Sequence, residues 1–454
     1  MSAEHRNERL TPRQITLRLQ HKLEAFWRIP GDDSSADRLH ILKYNVTANV
    51  IANLIGGNFF TGLLLLLNAD NGFFGLMTII TFSVNLLQLF APFVLERFER
   101  RKKLLISLRV MLHAINIVLI GLIPLIPADN QARLAMVALS VFLVNALNAL
   151  MGPGYSVWHI AHIPPRVRVS FFSLLSMLNG IFVAVCNLVA SRVVDAFKAS
   201  GNELLGLEVL RIVALLIAVY DILLLCRLRE LPRSKPVSKI NFRDLLTKPW
   251  KERVYLRTVL VVVLWNATAN MPGSYYTVYL LSELNVSYSY ITLISMFNVV
   301  ILILLTPVWR RFFNRKSWLK PLSWGILMLA PYYFMLAFVS PNLMVLYPIA
   351  TIWAFICLTG INLAFTSVAY INIPQDNQTL YIGFYSTMAY LGALVGAFLA
   401  RTFVTSLEGL RFTFLGVPFG EKQLLMIITG TLMFGAGFAV RGVFKKNLAE
   451  KVEV

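Results

Sequence analysis

Residues 45 to 58 read NVTANVIANLIGGN and set Asn45, Asn49, Asn53 and Asn58 inside an otherwise apolar run. The first three recur every four residues, so on a helix they form one stripe about 12 Å long. An amide donates and accepts hydrogen bonds without carrying charge, which suits contact with a neutral or zwitterionic solute. The segment WNATAN repeats the device with Asn266 and Asn270. Other apolar runs carry Asn145 and Asn148, Trp353 and Asn362, Asn85 and Gln88, Asn179 and Asn187, Asn298, and Tyr385 and Tyr390. Facing hydrocarbon, each amide would carry a desolvation penalty, so the rows face protein or water. Two readings stay open for any one of them. It is either packing glue between helices or part of a polar cavity.

The elements that must position these groups are membrane helices. The chain has 454 residues, 57% hydrophobic and 14% charged, against about a quarter charged in a soluble domain. Apolar runs of roughly 20 residues, the length that crosses a hydrocarbon layer, recur throughout. Twelve are counted: 44–67, 73–95, 104–126, 134–155, 170–194, 206–226, 255–281, 287–309, 318–338, 342–366, 380–403 and 421–441. The first 43 residues are polar and basic, with no secretory leader pattern. Cys186, Cys226 and Cys357 fall in or at the end of spans and suggest neither a disulfide framework nor a metal site.

The net charge of +19 is explained by topology. With the N-terminus cytoplasmic, 35 of the 42 Lys and Arg fall on the cytoplasmic side or just inside it, including Arg109 and Arg257. Only Arg133, Arg192, Lys198, Arg211, Arg401, Arg411 and Lys422 lie opposite. This is the positive-inside pattern, with both termini cytoplasmic, and it needs no nucleic acid.

The chain is also written twice. PFVLERFERRK after the second span meets PVWRRFFNRKS after the eighth, pairing Pro92 with Pro307, Phe98 with Phe313, Arg100 with Arg315, and Arg101 with Lys316. Ile163 and Pro164 meet Ile373 and Pro374, and Arg192 meets Arg401, at nearly the same shift. Six spans per half place both halves in the same sense, a parallel repeat about an axis along the membrane normal. The expected fold is therefore all-α and integral to the membrane, with twelve transmembrane helices in two six-helix bundles. Its parts are a tail (1–43), bundles at 44–226 and 255–441, a basic linker (227–254) and a second tail (442–454).

Here the sequence resembles the major facilitator superfamily. That family's 2–3 loop signature runs Gly-x-x-x-Asp-Arg-x-Gly-Arg-Arg/Lys, and Pro92 to Arg101 is a degenerate copy. Glu96, Arg97, Arg100 and Arg101 match in place, while Pro92 and Glu99 replace the two glycines. WHIAHIPPRVRVSFF, with Pro164 and Arg168 in register, is similar to the 4–5 loop of bacterial members. The resemblance covers roughly residues 40–445 and implies a transporter working by alternating access in a bacterial inner membrane. Helices 1, 4, 7 and 10 would line its cavity, with 2, 5, 8 and 11 flanking. It implies a cytoplasmic gate from Glu96, Arg97, Arg100, Arg101, Arg168 and Arg315; the alternative is a charge anchor only. Asn49, Asn53, Asn145, Asn266 and Asn270, with Trp353 and Tyr385, are then the candidate substrate-cavity residues.

No Asp, Glu, Lys or Arg occupies the central part of spans 1, 2, 4, 5, 7, 8, 10 or 11. Charge there would mark ion pathways, and many proton-coupled relatives carry it in span 1 or 4. In spans 3 and 6, two ionisable groups stand out. His113 is a possible proton site or a neutral packing histidine, and Asp221 is expected to pair with Arg227 or Arg229. Residues 11 to 29 read as an amphipathic helix on the inner leaflet, with Thr11 and Pro12 at its start.

The expectation is thus a monomeric permease for a small organic solute, with membrane lipid as its surroundings and neither cofactor nor metal. The alternatives are an exporter of amphipathic compounds coupled through His113 and, in another class, a lipid scramblase or non-transporting sensor on the same fold. No nucleophile–base pair, metal-ligand cluster or phosphate loop in the spans points to an enzyme.

Overall fold

In hydrocarbon a backbone can satisfy its polar groups only as helix or closed barrel, and these apolar runs lack the two-residue alternation of strands. The computed structural model describes residues 32, 34–90, 101–230, 247–315, 319–368, 378–414 and 416–452, and nearly all of them are helical. The first half holds α1 (Ser35–Ile55), α2 (Gly57–Leu66), α3 (Asn71–Asn85), α4 (Arg101–His113), α5 (Asn130–Ala161), α6 (Pro165–Ala199) and α7 (Glu203–Arg227). The second holds α8 (Arg253–Ala269), α9 (Tyr275–Val278), α10 (Tyr288–Arg315), α11 (Leu319–Ala337), α12 (Leu346–Val368), α13 (Gln378–Ser406) and α14 (Glu421–Val452).

Among the described residues ten helices, some spanning two of these segments, are long and apolar enough to cross a membrane. The expected seventh span is interrupted instead of continuous. α8 stops at Asn270, Gly273 adopts φ +46°, and α9 runs into a π-helical turn at Tyr279–Glu283. The expected ninth span falls on α11, which is not one of those ten. One short departure from an all-helical chain is a hairpin between α13 and α14, pairing Phe412 with Phe419 and Phe414 with Val417.

Local chemistry sets several helix starts. Asp70 accepts from the Phe73 N–H at the head of α3, and Asp129 from Ala132 at the head of α5. Pro165 occupies the first turn of α6, where its missing N–H costs nothing. Glu230, past the end of α7, accepts from the Arg101 and Lys102 N–H groups that open α4.

α1 packs on α6 and α7, and α4 on α5; in the second half α8 packs on α13 and α11 on α12 and α14. The halves meet through α3 against α13 and α6 against α10. The side holding Asp37, Arg101, His162 and Arg229 is called the terminal end below. The side holding Asn71, Glu203 and Tyr288 is the far end.

Candidate functional site

The exposed positions of each helix tell which solvent it meets. α7 exposes Ile212, Leu216, Val219 and Leu223, as a helix bordered by lipid should. α1 exposes Ala36, Lys43, Asn49 and Ala52 and no large apolar side chain. Its opposite face buries Val50, Ile51, Leu54 and Ile55. The amide stripe therefore lies on a face that exposes no large apolar side chain. Asn49 is exposed, while Asn45 and Asn53 are half-buried.

The amides share one arrangement. Asn49 Nδ2 donates to Asn45 O at 2.8 Å, and Asn53 Nδ2 to Asn49 O at 2.8 Å. Asn145 donates to Val141 O, Asn266 to Val262 O, and Asn270 to Asn266 O. Asn53 Oδ1 also accepts from Asn187 Nδ2 at 3.3 Å, joining α1 to α6. Tyr385 is buried in α13. Trp353 is half-buried, and its indole N–H donates to Met328 O of α11 at 2.7 Å, so its polar edge is already used.

The gate residues are only partly within view. Glu96, Arg97 and Arg100 lie outside the described residues, as does the amphipathic segment 11–29. Arg101 opens α4, Arg168 donates to Ile163 O at 3.3 Å, and Arg315 is the last residue of α10.

The expected pairing of Asp221 is corrected. Its carboxylate, fully buried, accepts from Arg109 Nε at 3.0 Å, lies 3.1 Å from His113 Nε2, and receives Thr47 Oγ1 at 2.9 Å. Arg229 instead meets Asp37, through its N–H at 3.3 Å and Nε at 3.8 Å. Arg109 also stands over the Tyr44 ring at 5.4 Å. Sequence reasoning counted Arg109 only as a topological charge. Yet its four-residue spacing from His113 puts both on one face of α4, a signal that could have found the pair. Arg211 is buried within α7 and donates to Asn116 O at 3.0 Å, inside a π-helical turn at Ala114–Leu119. Among the described residues no group of three His, Cys, Asp or Glu could hold a metal.

The far end is tied across the halves. Asp195 of α6 accepts from the Tyr288 and Ser289 N–H groups at 2.9 and 2.8 Å. Tyr288 donates its hydroxyl to Glu203 at 2.8 Å and stacks on Phe59. Arg401 of α13 donates to Gly72 O at 3.0 Å, and Asn71 donates to Glu408 at 3.1 Å.

A family model described as Major Facilitator Superfamily matches residues 46–397. No curated protein matches the sequence. Several solved structures share the fold. A variant of the nucleoside transporter NupG superposes with TM-score 0.64 at 13% identity, covering 90% of this chain and 100% of that one. A bacterial homologue of the iron transporter ferroportin, inward-facing, gives 0.68 at 13% identity, over 90% and 98%. A bacterial homologue of the human lysosomal transporter Spinster, inward-facing and unoccupied, gives 0.66 at 16%, over 91% and 99%. At these identities the likeness is one of fold.

Proposed function

Because this chain belongs to the Major Facilitator Superfamily and is a membrane transporter, not an enzyme, we propose that it moves a small polar organic solute through the amide-lined space. The observation that carries this reading is the row on α1: Asn49 is exposed with Asn45 and Asn53 half-buried beside it, on a helix whose other exposed residues are Ala36, Lys43 and Ala52, where large apolar groups would meet lipid. Asn49, Asn53, Asn145, Asn266 and Asn270 contact the solute, and Tyr385 supports the wall. Trp353, with its N–H engaged, offers ring surface only. The positive-inside pattern supports a cytoplasmic terminal end. The far-end ties then describe a state closed to the outside, and the cluster from Glu96 to Arg101, with Arg168 and Arg315, works the opposite gate. The protein works as a monomer in a bacterial inner membrane.

The test is uptake by proteoliposomes of a labelled metabolite extract, comparing wild type with the Asn53→Ala, Asn270→Ala double variant. The double variant is expected to lose the selective uptake at equal reconstitution. Unchanged uptake would remove the amides from the site.

A second reading, a proton-coupled exporter, is favoured by one contact: His113 beside the buried Asp221. If His113→Gln transports like wild type at every pH, that reading is discarded.

A further inference from the structure

The hydrogen-bond bookkeeping of the polar groups on α1, α3, α5 and α13 is one-sided. A backbone carbonyl can only accept, so wherever an asparagine side chain lies 2.8–2.9 Å from the carbonyl four residues back, the group facing it is the NH2. Each such amide has spent one of its two protons on its own helix, while its oxygen keeps both lone pairs. Asn45, Asn49 and Asn145 stand in that condition, with one proton left against two lone pairs each.

Hydroxyls go further, because each has a single proton. Ser156, exposed on α5, donates to Gly152 O at 3.0 Å. Thr81 donates to Met77 O and Thr387 to Gly383 O, both at 2.9 Å. Those oxygens remain as acceptors alone. Charge does not redress the balance, since the central portions of these helices carry neither carboxylate nor cation. An anionic solute would find no counter-ion and few donors, and a cation would be desolvated without a partner charge.

We infer that the space selects an uncharged, polyhydroxylated solute, one whose own O–H groups supply the protons that the lining helices have already committed to their backbones. This rests on the transporter reading above and narrows it from any small polar solute to one chemical class. The amide oxygens of Asn49 and Asn145 are the specificity-determining acceptors.

The experiment uses the purified full chain and three matched ligand sets at equal concentration: C5 and C6 polyols and sugars, their per-O-methyl ethers, and carboxylic acids of the same length. Thermal stabilisation is expected from the polyol set, because a ligand bound to the folded state raises its apparent stability. Methylation, which removes every donor and keeps every oxygen, should weaken apparent affinity roughly tenfold or more. Asn49→Asp, which keeps the acceptors, should retain polyol binding, and Asn49→Leu should lose it. Equal stabilisation by ethers or acids would overturn the inference, and so would silence of the polyol set. The transporter reading is judged separately by the proteoliposome extract assay. Selective uptake of an acid or an amine there would sink the inference alone, whereas no uptake at all would sink both.

Discussion

Asp195 caps the helix that begins at Tyr288. Its two carboxylate oxygens take the Tyr288 and Ser289 N–H groups at 2.9 and 2.8 Å, and the donor helix belongs to the other half of the molecule. The same tyrosine returns a bond to Glu203 and lies under the Lys198 ammonium at 5.6 Å from the ring. One residue pair thus joins a helix-dipole contact to a seam between halves. Asp195→Ala should cost about 1 kcal/mol in this state, the usual worth of an N-cap. Thermal unfolding reads that loss. Labelling of a cysteine placed at Asn202, at the same end, should speed up if the cap holds the seam closed, and unchanged labelling would refute that role.

Asp221 balances Arg109 inside the first half, and neither can be removed alone without leaving a buried charge. Asp221→Ala is expected to destabilise by about 3–5 kcal/mol, with low yield in membranes. Thr47→Val, which withdraws one neutral donor, should cost nearer 1 kcal/mol. Equal melting temperatures for Asp221→Ala and wild type would show that the ion pair contributes nothing.

Close helix approach makes its own prediction. A Cβ at Gly396 would lie 1.9 Å from Ala267 O, and one at Gly392 would lie 2.6 Å from Val263 O. These two glycines let α13 lie against the α8 backbone, so close packing, not bending, is their role. Gly396→Ala must push the helices apart, at about 1–3 kcal/mol, while Gly435→Ala meets open space and should be silent. Comparison of the two melting temperatures checks the contact.

Acid should loosen the far end of the second half. Burial by itself would raise the Glu283 carboxyl, but hydrogen bonds and charge from Lys422, then Arg411, outweigh it and hold the group below its usual range. A carboxyl depressed in the folded state stabilises the fold above its unfolded pKa, and that contribution fades as pH falls through the folded one. Melting temperature should therefore drop on acidification below the ordinary carboxylate range, and drop less in Glu283→Gln. Parallel curves for the two proteins would exclude the ion cluster as the cause.

Hydropathy, repeat spacing and charge placement are written along the chain, so membrane helices and the doubled architecture were legible from residues alone. The stripe of Asn45, Asn49 and Asn53 follows from helical period and the cost of amides in lipid, with no need of a neighbour. Partnership is another matter, because it depends on which faces meet. Asp221 lies six and eight residues from Arg227 and Arg229, yet packing delivers it to Arg109, His113 and Thr47. Trp353 reads as a lining aromatic until α11 takes its N–H. Local periodicity decides what each helix shows; only the assembled bundle decides what it is shown to.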